Sequence, residues 1–345
     1  MPNDILTRAI DEICSGSHLT ADHTSAALAE IMEGRAGEVQ IAAFLIALRA
    51  KGETVAELVG LARKMRELAA HVEIGVEDLV DTAGTGGGPT TFNVSTTAAL
   101  IAAGAGCKVA KHGNRSATSK CGSADLLEEL GVAIELSPEQ VATCIDEVGF
   151  GFMFAPKHHQ ATAAVVPVRK ELAVRTIFNL LGPLTNPAGA DRQLLGVSDR
   201  SFQETIAEAL LNLGCEQAMV VSADDGLDEL SIASRTRVVE VADGRTEEWF
   251  VEAEELGLQQ APLDQVPGGE PAENAAVVRG ILEGKAGAPR EIALLNAGAA
   301  IYVGGGAVSL GDGVEEARRA LDSGAALDVL ERLVARSSEL AKESS

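Results

Sequence analysis

From Thr82 to Ala124 this chain carries no aspartate or glutamate, although acidic residues fill 51 of its 345 positions. The stretch begins, after Asp81, as "TAGTGGGPTTFNVSTTAALIAAGAG", and its only charges are Lys108, Lys111, Arg115 and Lys120. "LVDTAG" reads as a strand ending near Ala83, and "STTAALIAAGA" as a helix beginning near Ser95. Strand, glycine-rich turn and helix N-terminus in succession form a βα unit open to an anion. Glycines let the backbone approach a ligand with its N–H groups turned inward, and the helix start adds partial positive charge. Asn93, Ser95, Thr96 and Thr97 add side-chain donors at the same end. A glycine-rich turn alone would serve equally as a tight βα connection; the cleared carboxylates, which would repel a phosphate, favour the anion. The turn has neither the G-K-[ST] of a Walker A motif nor the GxGxxG and acidic ribose ligand of a dinucleotide site. A phosphate-bearing ligand of another shape is expected.

The rest of the chain sets the architecture. "LTADHTSAALAEIMEG" has Thr20 to cap a helix and Gly34 to stop it, and "GEVQIAAFLIALRAKG" lies between two glycines. "TVAELVGLARKMRELA" places Thr54 and Glu57 in capping-box spacing. The first 70 or so residues therefore read as a small helical bundle. After Val76, extended runs ("CKVAKHG", "AIELS", "FGFMF", "QLLGV", "AMVVSA") alternate with helical ones ("SADLLEELG", "SPEQVATCIDEVG"), the last with Ser137 as cap and Pro138 in the first turn. "RVVEVADGRTEEWFVEA" reads as a hairpin turning at Asp243-Gly244. From "NAAVVRGILEGKAG" to Ser345 the chain reads as helical again, with "GAAIYVGGG" as a loop. The predicted fold class is α/β: a small N-terminal helical domain and a larger α/β domain with a mainly parallel central sheet flanked by helices.

Two more constellations bear on function. Between Val148 and Ala190 the only acidic residue is Glu171, while Lys157, His158, His159, Arg169, Lys170 and Arg175 lie in a largely apolar context. Arginine there suits a carboxylate or phosphate, which its planar fork grips through two bonds. "ADDGLDELS" puts Asp224, Asp225, Asp228 and Glu229 in a loop after a buried strand. Beside a polyphosphate such carboxylates become Mg²⁺ ligands, because Mg²⁺ takes one or two carboxylates together with phosphate oxygens and water.

Composition removes other classes. A net charge of -23 argues against nucleic acid or an anionic membrane as the partner. Cys14, Cys107, Cys121, Cys144 and Cys215 are odd in number and widely spaced, so free thiols in a reducing compartment are expected rather than disulfides or a metal site. The N-terminal residues lack the pattern of a secretory signal, and no apolar run reaches the length of a membrane span. A soluble, cytoplasmic protein is expected.

"GTGG" at 84–87, "NVST" at 93–96, "KHGNRS" at 111–116, "RKELAVRTIFNLLGPLTNP" at 169–187 and "GLDELS" at 226–231 occur in this order. With "EVQIAAFLIALRAKGET" near the start and "LNAGAAIY" near the end, the chain resembles, over nearly its whole length, the anthranilate phosphoribosyltransferases of tryptophan biosynthesis. The resemblance implies a nucleoside phosphorylase/phosphoribosyltransferase-like fold. Residues 1–74 plus about 165–185 would form a helical dimerisation domain, and 75–164 with 186–345 the α/β domain, in a homodimer. It implies transfer of the phosphoribosyl group of phosphoribosyl diphosphate to the amine of anthranilate, with Mg²⁺. Gly84, Thr85, Gly86, Gly87, Asn93, Ser95, Thr96, Lys111 and Ser119 would hold phosphoribosyl diphosphate. Gly84, His112, Asn114, His159, Arg169 and Gly182 would line the anthranilate side, with Arg169 at its carboxylate, and Ser95, Asp228 and Glu229 would stand at the metal. No residue need act as a covalent nucleophile. The chain departs from the family pattern where Gly88 replaces an Asp after "GTGG" in a loop one residue shorter, and at Gln160 and Ala173. Two alternatives stay beside this reading. A pyrimidine nucleoside phosphorylase would carry other motifs in place of "KHGNRS" and the metal carboxylates. A non-catalytic nucleic-acid-binding relative would need a basic stripe.

Overall fold

The computed structural model describes residues 2–116 and 119–343. Helices α1 (Asp4–Cys14), α2 (Ala21–Met32), α3 (Glu38–Lys51) and α4 (Val55–Glu67) come first. Thr20 caps α2 through the His23 N–H, and the Thr54–Glu57 capping box opens α4; a cap of this kind is worth about 1 kcal/mol. Then follow β1 (Leu79–Gly84), α5 (Val94–Gly104), β2 (Lys108–Gly113), α6 (Ser123–Glu129), α7 (Pro138–Val148) and β3 (Phe150–Phe154). Short helices α8 (Ala155–His158), α9 (Val166–Leu172) and α10 (Phe178–Leu181) lead to β4 (Arg192–Gly196), α11 (Gln203–Asn212) and β5 (Gln217–Ala223). The hairpin β6 (Thr236–Ala242) and β7 (Arg245–Val251) turns at Asp243 and Gly244, both with positive φ as such a tight turn requires. Helices α12 (Pro271–Leu282), α13 (Ala288–Val303), α14 (Leu310–Asp322) and α15 (Ala325–Glu343) follow.

The strands form one sheet in the order β3-β2-β1-β4-β5-β6-β7, parallel from β3 to β5 and antiparallel through β6 and β7. Period-two alternation divides it between two cores. Leu194, Met219 and Val221 pack with α5 and the C-terminal helices, whereas Leu195, Ala218 and Val220 pack with α11, α1 to α4 and the 165–184 segment. Beside β1 the strand order reverses, with β2 on one side and β4 on the other. In open α/β sheets such a switch point leaves a crevice at the strands' carboxyl ends. Among the described residues no helix is long and apolar enough to cross a membrane, and all five cysteines are free.

Two expectations are corrected. "AIELS" is not a strand: residues 132–137 have no regular secondary structure and pair with no strand. Their alternating apolar residues Val132, Ile134 and Leu136 are buried in the helix-flanked core, and the Ala133 N–H donates to Ser337 Oγ on α15 at 3.1 Å. Helices, not a neighbouring strand, satisfy that pattern. "GAAIYV" is not loop but the last turns of α13, and only the three glycines after it leave the helix. A Cβ at Gly298 would stand 2.7 Å from the Val314 nitrogen. The missing side chain at Gly298 thus serves close packing of α13 on α14, which overrides glycine's weak helix propensity, and the alanines beside it favour helix outright.

Candidate active site

The loop after β1 is held from two neighbouring elements. The Thr85 N–H donates to the Gly196 carbonyl at 2.9 Å, and the Gly86 N–H to Asp228 Oδ2 at 2.8 Å. Gly86 and Gly87 have φ of 66° and 93°, which side chains rarely adopt. The Gly87 and Gly88 N–H groups make no hydrogen bond among the described residues, so the turn presents free donors. At the start of α5, Thr96 Oγ1 is buried without a partner, while Thr97 Oγ1 donates to the Asn93 carbonyl at 2.9 Å. Asn93, expected to face the anion, is otherwise engaged: Nδ2 donates to the Cys121 carbonyl at 3.0 Å and Oδ1 accepts from Asn274 at 2.9 Å.

Below this loop Lys111 of β2 is only 2 % exposed. Its ammonium donates to the carbonyl and Oγ1 of Thr82 and lies 3.4 Å from Ser95 Oγ. Burial pushes its pKa down, and the charges of Asp81 and Glu229 oppose that. The acidic loop comes close because β4 ends in glycine: a Cβ at Gly196 would sit 1.6 Å from the Asp228 carbonyl oxygen. Burial pushes the Asp228 carboxyl up. It pushes Glu229 up to about 8, with Asp228 adding to the rise and Lys111 and the Ser95 N–H opposing it. Asp224 and Asp225 stand apart from this pair. Asp224 pairs with Arg200 at 2.7 Å, and Asp225 accepts from Ser231 Oγ at 2.6 Å. Among the described residues no three His, Cys, Asp or Glu side chains gather as a metal cage. Two half-buried carboxylates near the start of α5, where Ser95 lies, form a hard oxygen set suited to a Mg²⁺ that keeps water and takes phosphate oxygens.

On the other side of the β2 terminus, the His112 and His159 rings lie 5.0 Å apart between centroids. His159 Nε2 is 3.0 Å from the Thr185 carbonyl, and the Gly182 carbonyl faces His112. Burial holds His112 down to about 3 and His159 down to about 4, so both imidazoles are neutral near pH 7. His112 Nε2 is shielded from solvent and has no partner. A Cβ at Gly182 would meet nothing within 4 Å, so its missing side chain leaves room there. The half-buried Arg169 guanidinium lies 5.4 Å from the Phe178 ring centroid. Asn114 and Ser119 sit at the exposed rim. Asn114 Oδ1 accepts from the Arg115 N–H at 2.7 Å, and the Ser119 hydroxyl is 2.6 Å from that of Ser116.

One residue escaped the sequence reading. Asp81, at the edge of the acid-free window, is fully buried on β1. It accepts from the His112 N–H at 3.1 Å and from Asn186 Nδ2 at 2.7 Å. Burial pushes it up to about 6, against the pull of Lys111. The signal available was a lone acid at an inward strand position.

A helical layer against a mainly parallel sheet, with an anion-ready turn at the switch point and a carboxylate pair beneath it, defines a glycosyl transferase. The helical-bundle domain of the glycosyl transferase family matches residues 7–69, and that family's a/b domain residues 76–327. The chain belongs to the anthranilate phosphoribosyltransferase family. It is 52% identical over 339 residues to the anthranilate phosphoribosyltransferase of Rubrobacter xylanophilus, covering 98% of this chain and 99% of the relative. The crystal structure of the Thermus thermophilus anthranilate phosphoribosyltransferase superposes with a TM-score of 0.91 at 45% identity, covering 96% of this chain and 99% of that one. The Saccharomyces cerevisiae enzyme in complex with PRPP and Mg superposes at 0.89 with 27% identity, covering 97% and 98%.

Proposed function

We propose that the protein transfers the phosphoribosyl group of 5-phosphoribosyl 1-diphosphate to the amine of anthranilate, releasing diphosphate. The observation that carries this reading is the convergence of the free glycine-loop donors, Lys111 and the Asp228–Glu229 pair on one side of the β2 terminus, with His112, His159 and Gly182 on the other. In this assignment the loop from Gly84 to Gly87, the start of α5 with Ser95 and Thr96, and Lys111 and Ser119 hold the diphosphate and phosphoribosyl groups. Asn93 acts by clasping the 121 and 274 segments around that end of α5. Arg169 meets the anthranilate carboxylate, and His112, Asn114, His159 and Gly182 shape the acceptor pocket. Ser95, Asp228 and Glu229 hold Mg²⁺, which neutralises charge on the leaving diphosphate when bound. The arylamine itself attacks, so no side chain forms a covalent bond. The chain's residues position the two reactants and favour the separating charge. Neutral His112 and His159 add no positive charge that would repel the cationic ribosyl centre. We assign residues 1–74 with about 165–185 to a helical domain that joins two copies into a homodimer. Val39 is 83% exposed on α3 and Ile5 and Ile46 are exposed nearby, apolar surface available for that contact. The remainder forms the α/β domain. Free thiols fit a cytoplasmic enzyme. Loss of anthranilate fluorescence that requires both phosphoribosyl diphosphate and Mg²⁺ is the expected result; loss without either, or none with both, contradicts the assignment.

A further inference from the structure

Arg175 bridges the two halves of the site. It lies in the connection between α9 and α10, where Ala173 ends α9 in a left-handed conformation. Its carbonyl accepts from Arg49 Nη1 on α3 at 2.7 Å, and the next N–H, of Thr176, donates to Asn179 Oδ1 at 3.0 Å. The backbone on both sides is therefore held. From this base the exposed side chain crosses to the glycine loop. Its guanidinium donates to the Gly86 carbonyl and lies 3.4 Å from Ser198 Oγ, which itself donates to the same carbonyl at 2.7 Å. The guanidinium fills the space that a side chain at Gly87 would take. Each of its hydrogen bonds among the described residues goes to an uncharged oxygen, while its positive charge acts on the nearby Asp228 carboxyl, opposing the rise that burial causes there.

A peptide group is planar, with its C=O and N–H pointing to opposite sides. A clamp on the Gly86 carbonyl therefore turns the Gly87 N–H away from Arg175, to the side where it has no acceptor among the described residues. We propose that Arg175 is the positioning residue of the diphosphate loop: it fixes the Gly86–Gly87 peptide in its anion-binding orientation and adds a positive charge beside the bound diphosphate. Because its backbone is anchored to α3, the same side chain makes the phosphate loop sensitive to the helical layer that carries Arg169. The inference rests on the assignment of this loop to diphosphate.

The test uses the full chain and inorganic diphosphate with Mg²⁺ as the calorimetric probe, alongside steady-state constants for both substrates. Arg175→Ala is expected to weaken diphosphate binding and raise the KM for phosphoribosyl diphosphate by about tenfold or more, with the anthranilate KM within about twofold of the parent. Arg175→Lys, which keeps the charge, should recover part of that loss, and both variants should melt as the parent does. Diphosphate binding unchanged in Arg175→Ala, equal rises in both KM values, or a lysine variant no better than alanine would overturn the proposal. A parent protein that turns over both substrates while Arg175→Ala matches it refutes this inference alone; a parent that turns over neither refutes the assignment beneath it.

Discussion

Asn186 donates to the Asp81 carboxylate at 2.7 Å across 105 residues of sequence. The same side chain donates to the Ala110 carbonyl at 2.8 Å, and Asp81 also accepts from the His112 N–H. One buried acid thus ties β1, the end of β2 and the segment after Gly182, the three places where the proposed acceptor and phosphate sides would meet.

Asp81→Ala leaves two buried donors short of an acceptor and should destabilise the fold by about 2–4 kcal/mol. Asp81→Asn keeps one acceptor and should cost less. The pH dependence separates charge from hydrogen bonding. Burial raises the Asp81 carboxyl to about 6, so the folded chain holds this proton more tightly than the unfolded one. The stability linked to that proton is present below about pH 4 and lost as pH rises towards 6. Asn carries no such loss, so Asp81→Asn should gain on the parent between these pH values in denaturant unfolding. A difference independent of pH would show the carboxyl to be ionised throughout.

Arg169→Ala should raise the KM for anthranilate far more than that for phosphoribosyl diphosphate. Losing one partner of a desolvated charge pair costs about 2–5 kcal/mol. Equal changes in the two constants would remove Arg169 from the acceptor pocket.

Asp228→Asn combined with Glu229→Gln should nearly abolish turnover without loss of the fold. Burial and mutual repulsion push the Glu229 carboxyl up to about 8, so ionising it disfavours the ligand-free protein as pH rises. The double variant should therefore melt at or above the parent temperature at pH 8. Full activity at ordinary Mg²⁺ would refute the metal assignment.

Gly88 bears on metal number. A Cβ there would stand 2.6 Å from the Gly226 carbonyl and 3.3 Å from Asp228 Oδ1, so the shortened loop has no room for a carboxylate at this position. A Mg²⁺ titration of initial rate should show one dominant binding event and little inhibition at high Mg²⁺. Gly88→Asp should weaken that event rather than create a second. Strong inhibition by Mg²⁺ in the parent would contradict this.

The sequence carried much of the frame because its signals were local. Thr20, Thr54 and Ser137 cap the helices they were expected to cap, and the Gly-rich turn stands between strand and helix within a residue or so of its expected limits. Long-range pairings were less legible. Nothing near Asn93 in sequence indicates that Cys121 and Asn274 take its side chain, and nothing near Arg175 shows that it reaches Gly86. Burial of Asp81 could be suspected only from its strand position, and the run at 132–137 resembles a strand because helices can bury the same alternation.

The central claim is tested most directly by counting products. With phosphoribosyl diphosphate, anthranilate and Mg²⁺, the protein should release one diphosphate for each anthranilate consumed, and none when anthranilate is omitted. Diphosphate release that does not track anthranilate, or cleavage of a pyrimidine nucleoside driven by inorganic phosphate in its place, would contradict it.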